Sequence, residues 1–201
     1  MIKKSNRKKI LVMLALVIAI SGCGGEKKAT DSDKTDVEAT ANTEAENGHK
    51  KVLAENTYAT LQDGVYTATG GALQFKVGDD WSISEEDATV LVYGDPKTSK
   101  DCLSVQYTDK DEEFANYSLK DFEKYYGSLF DNYQGVSYEK SKVAGLDAGC
   151  LEYTFSTDVA DVTAYQYFID GEDTYLLTFM DVSGKLKDQV ATILESVEIP
   201  Q

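Results

Sequence analysis

Past residue 57 the apolar positions of this chain follow two periods, and the points where the period changes divide it into elements. Residues 65–69 and 73–77 are short β-rich runs on either side of Gly70-Gly71, which predicts a hairpin. Residues 89–93 and 102–107 are two further strand-like runs, separated by Gly94-Asp95-Pro96. Over 118–133 the spacing changes: Leu119, Phe122, Tyr126, Leu129, Phe130 and Tyr133 recur three or four residues apart, as one face of a helix. Ser118 with Asp121 three residues later resembles a capping box for that helix, with Asp in place of the usual Glu. Four strand-like runs follow, at 136–142, 148–155, 162–169 and 174–181. The last two are joined through Asp170-Gly171-Glu172-Asp173, a loop longer than a two-residue turn. A second amphipathic helix over 185–196 buries Leu186, Val190, Ile193 and Leu194, with Val197 just beyond it.

The strand faces decide the architecture. One face of 162–169 carries Tyr165, Tyr167 and Ile169, and the other carries Val162, Ala164 and Phe168. Residues 174–181 divide in the same way, with Tyr175, Leu177 and Phe179 opposite Leu176 and Met180. A sheet apolar on both faces must be covered on both. With two amphipathic helices available, the expected fold is α+β: an antiparallel sheet flanked by helices, an α/β/α sandwich.

The first 56 residues have a different composition. Lys3, Lys4, Arg7, Lys8 and Lys9 precede the apolar run Ile10 to Ile20, eleven residues long and short of the roughly 18–20 that cross a bilayer as a helix. This predicts a signal peptide. Ile20-Ser21-Gly22-Cys23 resembles the lipobox of bacterial lipoproteins, which implies cleavage after residue 22 and diacylation of Cys23. Two acyl chains suffice for stable membrane attachment where one is marginal. The alternative is an ordinary secretory signal with a coincidental cysteine. Residues 24–56 contain no Phe, Trp or Tyr and alternate Thr, Ala, Asp, Glu and Lys. That composition predicts a flexible tether with a root-mean-square span of roughly 30–35 Å. The expected organisation is therefore signal peptide 1–22, lipidated Cys23 and tether 23–56, and one folded domain 57–201.

Within the domain, four segments occur in an order that resembles the PsbP-like fold, shared by extrinsic photosystem II proteins, a Ran-binding nuclear import factor and many bacterial lipoproteins. They are Phe75-Lys76-Val77-Gly78-Asp79-Asp80-Trp81, Val143-Ala144-Gly145-Leu146-Asp147-Ala148-Gly149, Gln166-Tyr167-Phe168-Ile169-Asp170-Gly171 running on to Tyr175-Leu176-Leu177-Thr178-Phe179, and Ile193-Leu194-Glu195-Ser196-Val197. The resemblance spans roughly 65–199, with Asp80 where the family often has Pro. It implies an accessory or binding module, since the family has no common chemistry and supplies no metal or partner site to carry over.

Charge sharpens this expectation. The formal net charge of the 201 residues is −15, but residues 1–22 hold five of the 20 basic residues, including the only Arg, and none of the 35 acidic ones. The 57–201 domain carries 10 Lys, no Arg and 27 acids, the wrong sign for nucleic acid. The single His is His49, in the tether, so the domain has no imidazole for Ser-His or Cys-His catalysis or for a His-based zinc site. Cys102 and Cys150 each fall in a strand run; a disulfide between them and two buried thiols are both open readings. Asp109, Asp111 and Glu113 match the first ligand positions of a calcium loop, but Phe114 stands where Gly is required and Lys120 where the bidentate Glu belongs. Asp158 with Asp161, and Asp170 with Glu172 and Asp173, read as solvated loop charge or weak cation ligands. Tyr93, Tyr107, Tyr125, Tyr126, Tyr138, Tyr165 and Tyr167 suit either a stacking surface or half-buried strands. The function expected is a lipid-anchored, extracytoplasmic binding or accessory protein, monomeric, without cofactor or catalytic residues, facing an envelope protein partner. The alternatives are a carboxylate-based hydrolase acting on an envelope polymer and a weak divalent-cation binder.

Overall fold

The computed structural model describes residues 59–111 and 116–200; the signal peptide, Cys23, the tether with His49, and Glu113 lie outside the described residues. The strands are β1 (Thr60–Gln62), β2 (Val65–Thr67), β3 (Gln74–Lys76), β4 (Trp81–Ile83), β5 (Val90–Tyr93), β6 (Cys102–Thr108), β7 (Asp131–Val143), β8 (Leu146–Ser156), β9 (Asp161–Asp170) and β10 (Thr174–Asp181). Helix α1 (Leu119–Tyr126) lies between β6 and β7, and helix α2 (Lys187–Glu195) follows β10. Seven strands form an antiparallel sheet in the order β4-β5-β6-β10-β9-β8-β7, while β1, β2 and β3 form a separate small sheet. The architecture is α+β, an antiparallel sheet flanked by helices.

Strand β10 shows why the alternation is apolar on both sides. Paired with β6 on one edge and β9 on the other, it has all eight residues buried. Tyr175, Leu177 and Phe179 enter one core cluster with Tyr165 and Ile169, and Leu176 and Met180 enter a second with Val162, Ala164 and Phe168. The first cluster is covered by α2, through Val190 and Ile193 with Leu186 just before the helix, and by the small sheet, whose Tyr66 and Phe75 rings stack 4.9 Å apart. The second is covered by α1, through Phe122 and Tyr126. One side of the sandwich is thus a helix together with a second small sheet.

The hairpin around Gly70-Gly71 forms as β2 and β3, joined through a 3₁₀ turn over Thr69–Gly71. Trp81 opens β4, after a turn in which its N–H donates to the Gly78 carbonyl at 3.2 Å. Ser118 and Asp121 make the capping box: the Asp121 carboxylate accepts from the Ser118 N–H at 3.0 Å and its hydroxyl at 2.6 Å. Those hydrogen bonds hold the Asp121 carboxyl below its ordinary range. Helix α1 stops seven residues short of the expected end. Leu129 and Phe130 still donate to the Tyr126 carbonyl in a final turn, and then Asp131 pairs with Ser156 to start β7. Phe130 and Tyr133 keep the helical spacing because turn and strand both deliver them to the second cluster. The hairpin β7–β8 closes with Ala144 (φ 52°) and Gly145 (φ 79°), the two left-handed positions of a type I′ turn.

Candidate functional site

Helix α2 is nine residues long, about 14 Å, whereas seven strands span about 29 Å. Helix and small sheet together therefore leave the β9-β8-β7 end of their face incompletely covered. A groove of about 690 Å³ lies there, between α2 and the three strands. Its wall is one face of α2, with Lys187, Val190, Ala191, Leu194 and Glu195 at helical spacing, and the Ala144-Gly145 turn closes one end.

The floor is built by register. Ser137 of β7, Glu152 of β8 and Tyr165 of β9 form one row across three strands, and Glu139, Cys150 and Tyr167 form the next. Directly opposed residues in an antiparallel pair have Cβ atoms about 4.5–5.5 Å apart, so each tyrosine has a carboxylate or thiol as its immediate neighbour. The Tyr167 hydroxyl donates to the Cys150 sulfur, and the Lys187 ammonium lies 5.9 Å from the centre of the Tyr165 ring. Lys142 at the rim is held by Asp147 at 2.8 Å, in an exposed pair.

Electrostatically the floor is negative. Burial pushes the Cys150 thiol up, the Tyr167 hydrogen bond opposes that, and Glu152 and Glu139 raise it further. Tyr167 is pushed up by burial, by its hydrogen bond to Cys150 and by the charge of Glu152; Tyr165 is raised by burial and then by Glu152 and Asp181. A thiol so raised is protonated at neutral pH and is a poor nucleophile.

Cys102 and Cys150 do not form a disulfide. Cys102 is on β6 and Cys150 on β8, with β10 and β9 between them. Cys102 packs against the second cluster while Cys150 faces the groove on the opposite side of the sheet, so no rotamer brings the sulfurs together. Both are half-buried. The tyrosines do not share one surface. Tyr125, Tyr126 and Tyr138 pack in the second cluster, Tyr93 lies against Trp81, Tyr107 against Tyr175, and Tyr165 and Tyr167 line the groove. Three of the loop acids are engaged locally: Asp111 accepts from the Tyr117 hydroxyl, Asp161 from Ser156, and Asp170 pairs with Lys110. Among the described residues no three His, Cys, Asp or Glu side chains converge to hold a metal ion. The groove is the feature that sequence reasoning missed. Its signal is the in-phase polar series Ser137, Glu139, Ser141 with Cys150 and Glu152, on the same face as Tyr165 and Tyr167.

No family model and no curated protein sequence matches this chain. Among solved structures it is similar to the solution structure of a cyanobacterial PsbP from Synechocystis, at 13% identity and TM-score 0.48, covering 77% of this chain and 98% of that one. It is also similar to LpqN of Mycobacterium tuberculosis, described as involved in cell envelope biogenesis, at 17% identity and TM-score 0.47, over 64% of this chain and 83% of that one. A Bacteroides thetaiotaomicron protein is similar at 10% identity and TM-score 0.49, over 70% of this chain; the chain spans half the length of that protein.

Proposed function

We propose that this protein is a lipid-anchored, extracytoplasmic binding or accessory lipoprotein whose PsbP-like domain presents the α2–β7–β8–β9 groove to its ligand. The groove carries the binding part of this reading: about 690 Å³ of space with aromatic, apolar and charged walls, in a domain without histidine and with its one groove thiol held protonated. The anchoring part rests on Ile20-Ser21-Gly22-Cys23 after a basic and apolar leader. Cys23→Ala is expected to abolish incorporation of an alkyne-tagged fatty acid and to release or mislocalise the protein; unchanged labelling refutes the anchor. A photocrosslinker at Ala191, in the groove wall, is expected to give a discrete adduct in intact cells, and one at exposed Val159 is not.

A second reading, a carboxylate-based hydrolase on an envelope polymer, is favoured by Glu139, Glu152 and Glu195 lining the same groove. It requires bond cleavage in the polymer that Glu152→Gln abolishes.

A further inference from the structure

We propose that the groove takes an organic cation: an ammonium or guanidinium group seated over the Tyr165 ring beside Glu152, with its apolar body against Val143, Val190 and Leu194. This rests on the groove being the ligand-binding surface proposed above and adds the class of ligand.

Three observations carry it. First, the register puts Glu152 of β8 directly beside Tyr165 of β9, while Glu139 of β7 stands in the next row beyond Cys150, two strands from Tyr167. An aromatic face attracts a cation through its quadrupole, and a neighbouring carboxylate strengthens that attraction. Second, the Tyr165 ring already has a cation: the Lys187 ammonium, 5.9 Å from the ring centre. Lys187 is an exposed side chain on the groove wall, so its ammonium occupies the position a ligand's ammonium would take and can swing away when one arrives. Third, two carboxylates, Glu139 and Glu152, stand in the rows of the floor, and beyond the effect of burial Glu152 adds to the upward push on Cys150, Tyr165 and Tyr167. An anion in the same place would meet Glu139, Glu152 and Glu195 against two lysines, Lys187 and the Asp147-paired Lys142. A ligand with only apolar groups would cover half-buried Glu152 without giving it a partner, which is costly.

Two probes of equal size and opposite charge test the idea: phenethylammonium and phenylacetate, titrated by ligand-observed NMR against the full chain in detergent at low salt. Saturable binding of the cation is expected, with the anion at least tenfold weaker and the cation's affinity falling as salt is raised. Glu152→Gln is expected to weaken the cation about fivefold. Lys187→Met is expected to tighten it about threefold, since removing the resident ammonium frees the ring face; a Lys187 that itself helped to hold the ligand would instead weaken binding when replaced. Both substitutions are on exposed or half-buried side chains, and unchanged melting curves separate binding from folding. Equal binding of the two probes, or weaker binding by Lys187→Met, overturns the cation proposal and leaves the groove standing as a ligand surface. Absence of saturable cation binding also overturns it, and the Ala191 adduct then decides separately whether the groove is used.

Discussion

Strands β7, β8 and β9 present two faces built from alternate residues of the same segments, and the two are finished differently. On the α1 side, Phe122, Tyr126, Phe130, Tyr133, Tyr153 and Phe155 form a continuous lattice of rings, with centroids from 4.5 to 6.1 Å apart between Phe130 and Phe155 and between Phe122 and Tyr126. On the α2 side the same strands offer Ser137, Glu139, Cys150, Glu152, Tyr165 and Tyr167 to an open groove. Along β8 alone, Leu151, Tyr153 and Phe155 turn to the sealed face, and Cys150 and Glu152 to the open one. Stability alone would be served by apolar residues at both sets of positions. The difference closes one face with packed rings and leaves polar side chains along a groove on the other.

The largest effects should come from breaking the sealed face. Tyr126 is 2% exposed, stacks on Tyr153 at 5.3 Å, and donates its hydroxyl to Gln166 Oε1 at 2.7 Å; Gln166 in turn donates to Thr178 at 3.0 Å. Tyr126→Ala is expected to lower stability by about 3–5 kcal/mol in urea unfolding. Tyr126→Phe keeps the ring and leaves a buried acceptor without its donor, at a cost of about 1–3 kcal/mol. Ser137→Ala, on the groove floor, is expected to stay within about 0.5 kcal/mol. Comparable losses for Ser137→Ala and Tyr126→Ala would dissolve the contrast between the faces.

Next in size is the device that sets α2, and with it the groove wall. Asp181, 4% exposed, accepts backbone N–H groups from Gly184 at 2.7 Å, Lys185 at 3.1 Å and Leu186 at 3.2 Å, at the entry to the helix. Asp181→Ala orphans these donors, with an expected loss of about 1–3 kcal/mol. Hydrogen exchange should accelerate first in α2 and leave α1 protected. Uniform acceleration of both helices would show that the two faces are not independent.

Alkaline pH sharpens the same comparison. Burial, with the charge of Glu123, pushes Tyr133 up to about 12; burial, with Asp111 and Cys150, takes Tyr138 to about 12. Buried Tyr126 is raised well above its ordinary value near 10. Unfolded tyrosines lose their protons near pH 10 while these folded ones keep them, so the folded state binds more protons above that pH. Their contribution is whole below pH 10 and is lost as pH rises from 10 towards 12. Urea midpoints should therefore fall across that window, and less steeply in Tyr133→Phe. A midpoint that does not change up to pH 11.5 would contradict this.

The two faces were also unequally legible. Alternation in 162–169 and 174–181 announced a sheet covered on both sides because every position there has apolar company, and the structure places those residues in the two clusters as read. The end of α1 was hidden because Leu129, Phe130 and Tyr133 keep helical spacing although the chain has turned and become β7. The groove was hidden for a different reason. A polar series such as Ser137, Glu139 and Ser141 reads as a solvent-facing edge, which β7 is, and only the register with β8 and β9 and the short reach of α2 show that this edge also borders a groove. The pairing of Cys102 with Cys150 turned on strand order, which no local pattern encodes: two strands intervene and the thiols face opposite ways.

The smallest effect tests the electrostatics of the open face against those of the sealed one. Thiolate is the species that alkylates, so at a fixed pH below the thiol's pKa the rate follows the thiolate fraction. Glu152 is among the groups that hold Cys150 up, and the Tyr167 hydroxyl is the group that pulls it down. Glu152→Gln is therefore expected to speed iodoacetamide labelling of Cys150 about two- to threefold at pH 8. Tyr167→Phe is expected to slow it. Peptide-resolved mass spectrometry reads Cys102 in the same sample, and because Cys102 packs on the α1 side its rate should follow neither substitution. If Glu152→Gln slows Cys150, or moves both thiols together, the negative field is not a local property of the groove.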